Sequence, residues 1–410
     1  MPPPAPGRGA RVNYFAIFEA VSVMLFAGFW MLWAQWIYLS PGISQISGDF
    51  VSFWTAGQLV LDGRAADAYR EAAHMALQDA LHHDAAHWLY LAFFYPPFFL
   101  LLCAPFALIP YLPALGLWLA STCAAYIFAI RALAPERRVW VLFLGYPAVL
   151  VNAGFGQNGF LSAALFAAAA RWLDHSPIRA GICIGCLAYK PQLGIIIPLA
   201  LAAAGRWRCF AAASATVITL ALAATLMFGP EIWPAFLANT TDVRRWMEVT
   251  DPNYLAKWIS IYGAIRLHDG PVPLAYAAQA LVTLIAAICL LRTLARHTST
   301  GAATIAAIAA CVPFCSPFLL EYDLVILAIP MAWLLTEALR TGFRPYERLA
   351  LLAAWSAPAV FKIAALNNAA KLVVPAAAAL LLATLLRRIT RPPCVAPGAA
   401  SAAKTSAAPR

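Results

Sequence analysis

Long apolar runs dominate the chain, and their lengths decide what they can be. Stretches such as 14–38, 217–228, 274–294 and 373–386 are almost free of charge. A helix needs about 20 mainly apolar residues to cross a hydrocarbon layer, and roughly ten to twelve runs qualify as candidate spans on that standard. None alternates polar and apolar residues as a membrane strand would. The pattern therefore predicts an all-α fold, a polytopic transmembrane helical bundle rather than a barrel. Two polar stretches interrupt it. Residues 39–91 contain "DAYREAAHMALQDALHHDAAHWL", a polar helical pattern expected to lie on a membrane surface, and 229–271 form a second long loop. The run "FFYPPFFLLLCAPFALIPYLPALGLWLAS" is broken by prolines that should divide it into two helices.

Composition supports the membrane reading. Of 410 residues, 63% are hydrophobic and 11% charged, against roughly 45–50% and about 25% in soluble domains. The net charge of +10 does not point to nucleic acid. Its basic residues stand in short clusters at the ends of apolar runs, as in Arg131/Arg137/Arg138, Arg206/Arg208, Arg292/Arg296, Arg340/Arg344/Arg348 and Arg387/Arg388/Arg391. That is the bias of cytoplasmic loops beside anionic lipid. With Arg8 and Arg11 inside, the first span (about 13–38) leads out, so 39–91 and 229–271 are expected to be external. Residues 1–12 are expected to be a cytoplasmic tail, 13–391 the membrane-embedded domain, and 392–410 a disordered cytoplasmic tail. The first half resists this bookkeeping. If every apolar run is a full span, Arg131–Arg138 fall outside and "GFGQNG" inside. A half-inserted segment, in the Pro-rich run or in "GICIGCLAYKPQLGIIIPL", would restore the arginine bias. The nine cysteines lie mostly within apolar runs and read as small residues at helix contacts.

Ionisable groups at membrane depth are costly, and point to function by default. Lys190 stands in "CLAYKPQLG", Gln157 and Asn158 in "NAGFGQNGF", and Glu321 and Asp323 in "CSPFLLEYDLVILAIP". Each has a plain alternative: a snorkelling lysine, turn residues, carboxylates at a helix start. Each also sits beside Gly or Pro, and together they suggest one shared cavity. Asp49, in "SPGISQISGDFVSFW", either caps a helix or acts as a base at the membrane surface. A carboxylate can serve as general base, while Lys190, Arg244, Arg245 and Lys257 can stabilise a phosphate leaving group. Side-chain amides suit sugar hydroxyls, and the aromatics of "FVSFW" and "FFYPPFF" suit a sugar face or a polyprenyl chain. His74, His82, His83 and His87 raise a metal option. With no clear third ligand, they read instead as a solvated polar face, and no metal or cofactor is expected.

The motifs "GDFVSFWTAGQLVLDGRAADAYR", "YPPFFLLLCAPFALIPY", "GQNGFLSAALF", "AGICIGCLAYKPQLGIIIPLALAAAGRW" and "SPFLLEYDLVIL" occur in an order that resembles glycosyltransferase family 87, from about Asp49 to Pro330. The resemblance implies a mannosyltransferase of the C-type membrane fold that uses a polyprenyl-phosphate donor. By it, Asp49 matches the acid of the first external loop and would be the catalytic base. Tyr95 and Pro96 match the Tyr-Pro-Pro element, and Gln157 and Lys190 match the polar positions of the two central motifs. Some members carry a histidine in the Ser-Pro motif where this chain has "SPFLLEYDL", so Glu321 or Asp323 is expected to take that place. The implied partners are a polyprenyl-phosphate sugar donor, a lipid or glycan acceptor and membrane lipids. The implied location is the cell inner membrane, with the protein crossing it several times. A secondary transporter or flippase is the competing reading. It predicts an inverted repeat, and none is visible.

Overall fold

A computed structural model describes residues 14–39, 48–81, 90–249, 255, 257–365 and 372–391. They are overwhelmingly helical, and the strand-like pairing among them is an isolated bridge between Trp258 and Leu320. Six helices are long and apolar enough to cross a membrane: Phe15–Gln35, Tyr111–Leu133, Trp207–Phe228, Val272–Arg296, Glu321–Thr341 and Val373–Thr390. The bent pair Arg137–Phe143 and Pro147–Phe155 adds a seventh when counted as one span. Six further apolar helices have only 10–17 residues. The expected spans thus divide into full-length and short helices, and proline makes much of the difference. It opens Pro147–Phe155, Pro177–Cys186 and Pro191–Gly194, where its fixed φ starts a helix and its missing N–H prevents continuation of the one before.

The short helices explain the arginine bias of the first half. Phe50–Leu61 lies along Pro97–Ala107. The two approach so closely at Gly57 that a Cβ there would lie 2.7 Å from the Cys103 carbonyl oxygen. Neither crosses a membrane, so at Tyr111 the chain is back at the level it left at Phe50, with the two rings 5.8 Å apart. Tyr111–Leu133 then descends to Arg131, roughly 30 Å away at about 1.5 Å per residue. The bent pair returns from Arg137 to Phe155, whose carbonyl oxygen would lie 2.5 Å from a Cβ at Gly48. "GFGQNG" therefore sits beside Asp49, at the opposite end of the bundle from Arg131–Arg138. The Pro-rich run thus turns back, as a half-inserted segment would.

A second reversal follows. Pro177–Cys186 runs parallel to Trp207–Phe228, since Gly181 faces Cys209 and Ala212 while Gly185 faces Ala213 and Thr216. The chain turns at Lys190 and comes back through Ile197–Ala203 to Arg206, which pairs with Asp174 at 2.9 Å and donates to the Ser299 carbonyl at 2.8 Å. Lys190 is thus the tip of a hairpin of two short helices.

The two polar segments expected outside the membrane pack on each other. Tyr69 and Phe236 have ring centroids 5.6 Å apart, and Asn239 Nδ2 donates to the Phe93 carbonyl at 2.8 Å. The expectation of a solvated histidine face fails at His74. Helix Glu71–Leu81 packs against Phe50–Leu61, and His74 is fully buried, with Nε2 2.7 Å from Thr55 Oγ1 and 3.1 Å from the Ser52 carbonyl oxygen. Burial lowers its pKa to about 4 against the opposing pull of the Ser52 carbonyl, so the ring is neutral at pH 7. His82, His83 and His87 lie outside the described residues.

The orientation can be tested on a cysteine-free background. Thr241→Cys should react with an impermeant maleimide on intact spheroplasts, and Thr298→Cys only after permeabilisation. The opposite pattern would invert the topology.

Candidate functional site

Asp49 does not cap a helix through its side chain. It occupies the position before helix Phe50–Leu61, but its side chain makes no capping hydrogen bond. Its Oδ2 instead accepts from Gln157 Nε2 at 2.6 Å. Two glycines make this meeting of distant segments possible. Gly48 lets the chain lie directly on the backbone of Phe155, and Gly156, at φ 65°, ends the preceding helix in the left-handed conformation that L side chains disfavour. The carboxylate is half-buried. Burial raises its pKa, while the Gln157 bond and the nearby charges of Lys257 and Lys190 oppose the rise and Asp323 reinforces it. Gln157, Lys257, Lys190 and Asp323 thus all act on the Asp49 carboxylate.

Gln157 is held from its other side. Its Oε1 accepts from the Tyr95 hydroxyl at 3.3 Å and from the Asn158 backbone N–H at 3.1 Å. Tyr95 is locked by rings, stacked on Phe99 at 4.6 Å and edge-on to Phe53 at 5.1 Å. Gln157 is thus both a turn residue and the direct partner of Asp49 and Tyr95. Asn158 is fully buried, and among the described residues neither amide atom of its side chain has a hydrogen-bond partner within normal geometry. A buried, unpaired amide costs about 1–3 kcal/mol, and such groups mark places where a ligand or water completes the set.

Lys190 does not snorkel. Its side chain is 2% exposed, and Nζ lies 2.5 Å from Asp323 Oδ1 and 5.0 Å from the centroid of the Tyr322 ring. In this state its charge is already matched, which changes the expectation that it simply awaits a phosphate. Glu321 pairs with Lys362, 2.5 Å away, a residue that the sequence reading missed. Lys362 is half-exposed and lies 5.3 Å from the Phe155 ring centroid, on the segment that contacts Gly48. The available signal was a lysine closing the apolar stretch "APAVFK" just after a proline within a helix. Glu321 and Asp323 do begin a helix, the 3₁₀ segment Glu321–Leu327, and each also holds a cation. Lys257 is exposed beside the Trp258–Leu320 bridge, and its charge reaches Asp49. Arg244 and Arg245 fall on helix Ile232–Val249, and their side chains lie outside the described residues.

The buried pair sets a stability test. Lys190→Met leaves Asp323 buried without a partner and should cost about 3–5 kcal/mol, whereas Lys190→Met with Asp323→Leu should recover most of it. Thermal unfolding in detergent measures both. Equal losses in the single and double variants would show that the pair does not carry the effect.

Comparison with known proteins matches residues 93–317, more than half of the chain, to the model of glycosyltransferase family 87. The matched region includes Tyr95, Gln157, Asn158, Lys190, Arg244, Arg245 and Lys257, and it leaves Asp49, Glu321 and Asp323 outside. No curated protein and no solved structure matches the chain. Family match and multi-pass helical fold agree, and the chain belongs to glycosyltransferase family 87.

Proposed function

We propose that this membrane glycosyltransferase moves a hexose, mannose by the family resemblance, from a polyprenyl-phosphate donor to a lipid-linked or surface-glycan acceptor. The reaction takes place on the external face of the cell inner membrane. The observation that carries this reading is the Asp49 carboxylate. It stands at a helix start without capping it, is oriented by Gln157 at 2.6 Å, and has a pKa raised by burial. A base works best when its pKa approaches the working pH, and burial moves Asp49 in that direction.

In the proposed step, the acceptor hydroxyl gives its proton to Asp49 as its oxygen attacks the anomeric carbon. The bond from that carbon to the phosphate oxygen breaks, and its electron pair leaves with the polyprenyl phosphate. One in-line displacement inverts configuration, so a β-linked donor gives an α-product. Lys257, whose charge reaches the Asp49 carboxylate, and Lys362, paired with Glu321, are exposed cations near the cluster and suit the developing phosphate charge. Arg244 and Arg245, on the second external segment, are further candidates. Lys190 contributes through Asp323, and Glu321 or Asp323 takes the place of the family histidine. The unpaired amide of Asn158 and the hydroxyl of Tyr95 suit hydroxyls of the sugar. The leaving group carries its own charge and the chemistry requires no metal in principle.

Two measurements test the base. Asp49→Asn should lower single-turnover transfer by about 10²–10⁴-fold while equilibrium donor binding is kept. Near-normal transfer would move the role to Glu321 or Asp323. The pH profile gives an independent test. Activity that needs ionised Asp49 is present above its pKa and is lost as pH falls through it. Gln157 donates to the anion and so lowers that pKa. Gln157→Leu should therefore shift the acid limb of kcat/KM to higher pH. An unmoved limb would assign it to another group.

A further inference from the structure

We propose that a groove at the end of the bundle opposite Asp49 binds one anionic membrane phospholipid. The groove has a volume of about 840 Å³ and lies between Pro177–Cys186 and Trp207–Phe228, with Arg179, Arg208, His175 and Ser176 at its polar end and small residues such as Ala211 and Ala215 along its floor. The two helices run parallel and touch at Gly181 and Gly185. Arg179 and Arg208 occupy the third and second positions of their helices, so parallel packing brings both to one mouth.

The charge at this mouth is uncompensated. Arg206, one turn position away, is spent on Asp174 and the Ser299 carbonyl. Arg179 and Arg208 are exposed, and among the described residues neither has an ion pair or a hydrogen bond from its side chain. No carboxylate lines the groove. Two guanidinium groups offer the forked donors that suit a phosphodiester.

The floor excludes a free anion as the best fit. It is alanine-rich and apolar, and flanking side chains are lipid-facing in character: Ile178 is 63% exposed and Trp207 61%. A tryptophan at such a level is typical of the headgroup region. An occupant with a phosphate at one end and acyl chain at the other satisfies both halves. The mouth lies at the arginine-rich end of the bundle, where the cytoplasmic leaflet supplies anionic lipid. The site is independent of the transferase reading, because none of its residues belongs to the Asp49 cluster.

The test is native mass spectrometry of the full-length protein titrated with phosphatidylglycerol or with phosphatidylcholine of the same acyl chains. The wild type should retain one phosphatidylglycerol in preference to phosphatidylcholine. Arg179→Gln/Arg208→Gln should weaken that first binding about tenfold or more, the loss expected for charge-assisted contacts. Ala215→Phe fills the floor without touching the charges and should weaken it too. Equal binding of the two lipids, or unchanged phosphatidylglycerol binding in the arginine variant, would overturn the proposal. Competition by inorganic phosphate alone, with Ala215→Phe without effect, would replace the lipid by a free anion and equally overturn it.

Discussion

The buried ion pair between Lys190 and Asp323 is the contact on which the arrangement of the site depends. An ammonium and a carboxylate this deeply buried tolerate one another only as partners, since each alone would be strongly unfavourable. Their pairing ties the tip of the central hairpin to the start of the Glu321–Leu327 segment. That segment packs on Pro147–Phe155 and Gly159–Trp172, and so it holds the Gln157 turn from beneath. Tyr146 strengthens the same joint by donating to the Leu324 carbonyl at 3.2 Å. Asp49 is then positioned last, by a single hydrogen bond from a turn that is already fixed.

Around this joint, glycine allows contacts that any side chain would block. At Gly159 a Cβ would lie 2.5 Å from Asn152 Oδ1 and 2.6 Å from the Tyr322 carbonyl oxygen. At Gly48 it would meet the Phe155 backbone. Both glycines stand next to residues of the polar cluster, because backbones must approach closely if short side chains are to converge. The carboxylates, amides and cations come from six separated stretches of chain, and only this tight packing makes them one group.

The helical membrane fold was legible in the sequence because apolar length and arginine placement are one-dimensional signals. The polar cluster was legible for a related reason: Asp49, Gln157, Asn158, Lys190, Glu321 and Asp323 are conspicuous where charge and amides are expensive. Their pairings were not. Lys190 could be read as snorkelling because nothing local announces an acid 133 positions away. Lys362 escaped notice because it closes an apolar run near the end of a helix, where lysine is ordinary, and its link to Glu321 exists only in three dimensions. His74 was misjudged because a polar helix looks the same whether it lies on lipid or on another helix. Span number was the weakest inference, since hydropathy does not distinguish a run that crosses from one that turns back.

Those short helices carry a consequence for the lipid around them. At about 1.5 Å per residue, helices of 10–17 residues are roughly 15–25 Å long, less than a hydrocarbon layer of about 30 Å. The turn at Lys190 therefore sits below the level reached by long neighbours such as Val272–Arg296, whose Gln279 already reaches the Phe314 carbonyl. A membrane surrounding such a fold must thin locally or admit water from one side, at a modest free-energy cost for each ångström of mismatch. Acyl-chain length thus enters the physics of the site alongside its residues: a thicker bilayer buries the reacting plane more deeply, and a thinner one lifts it toward the headgroups.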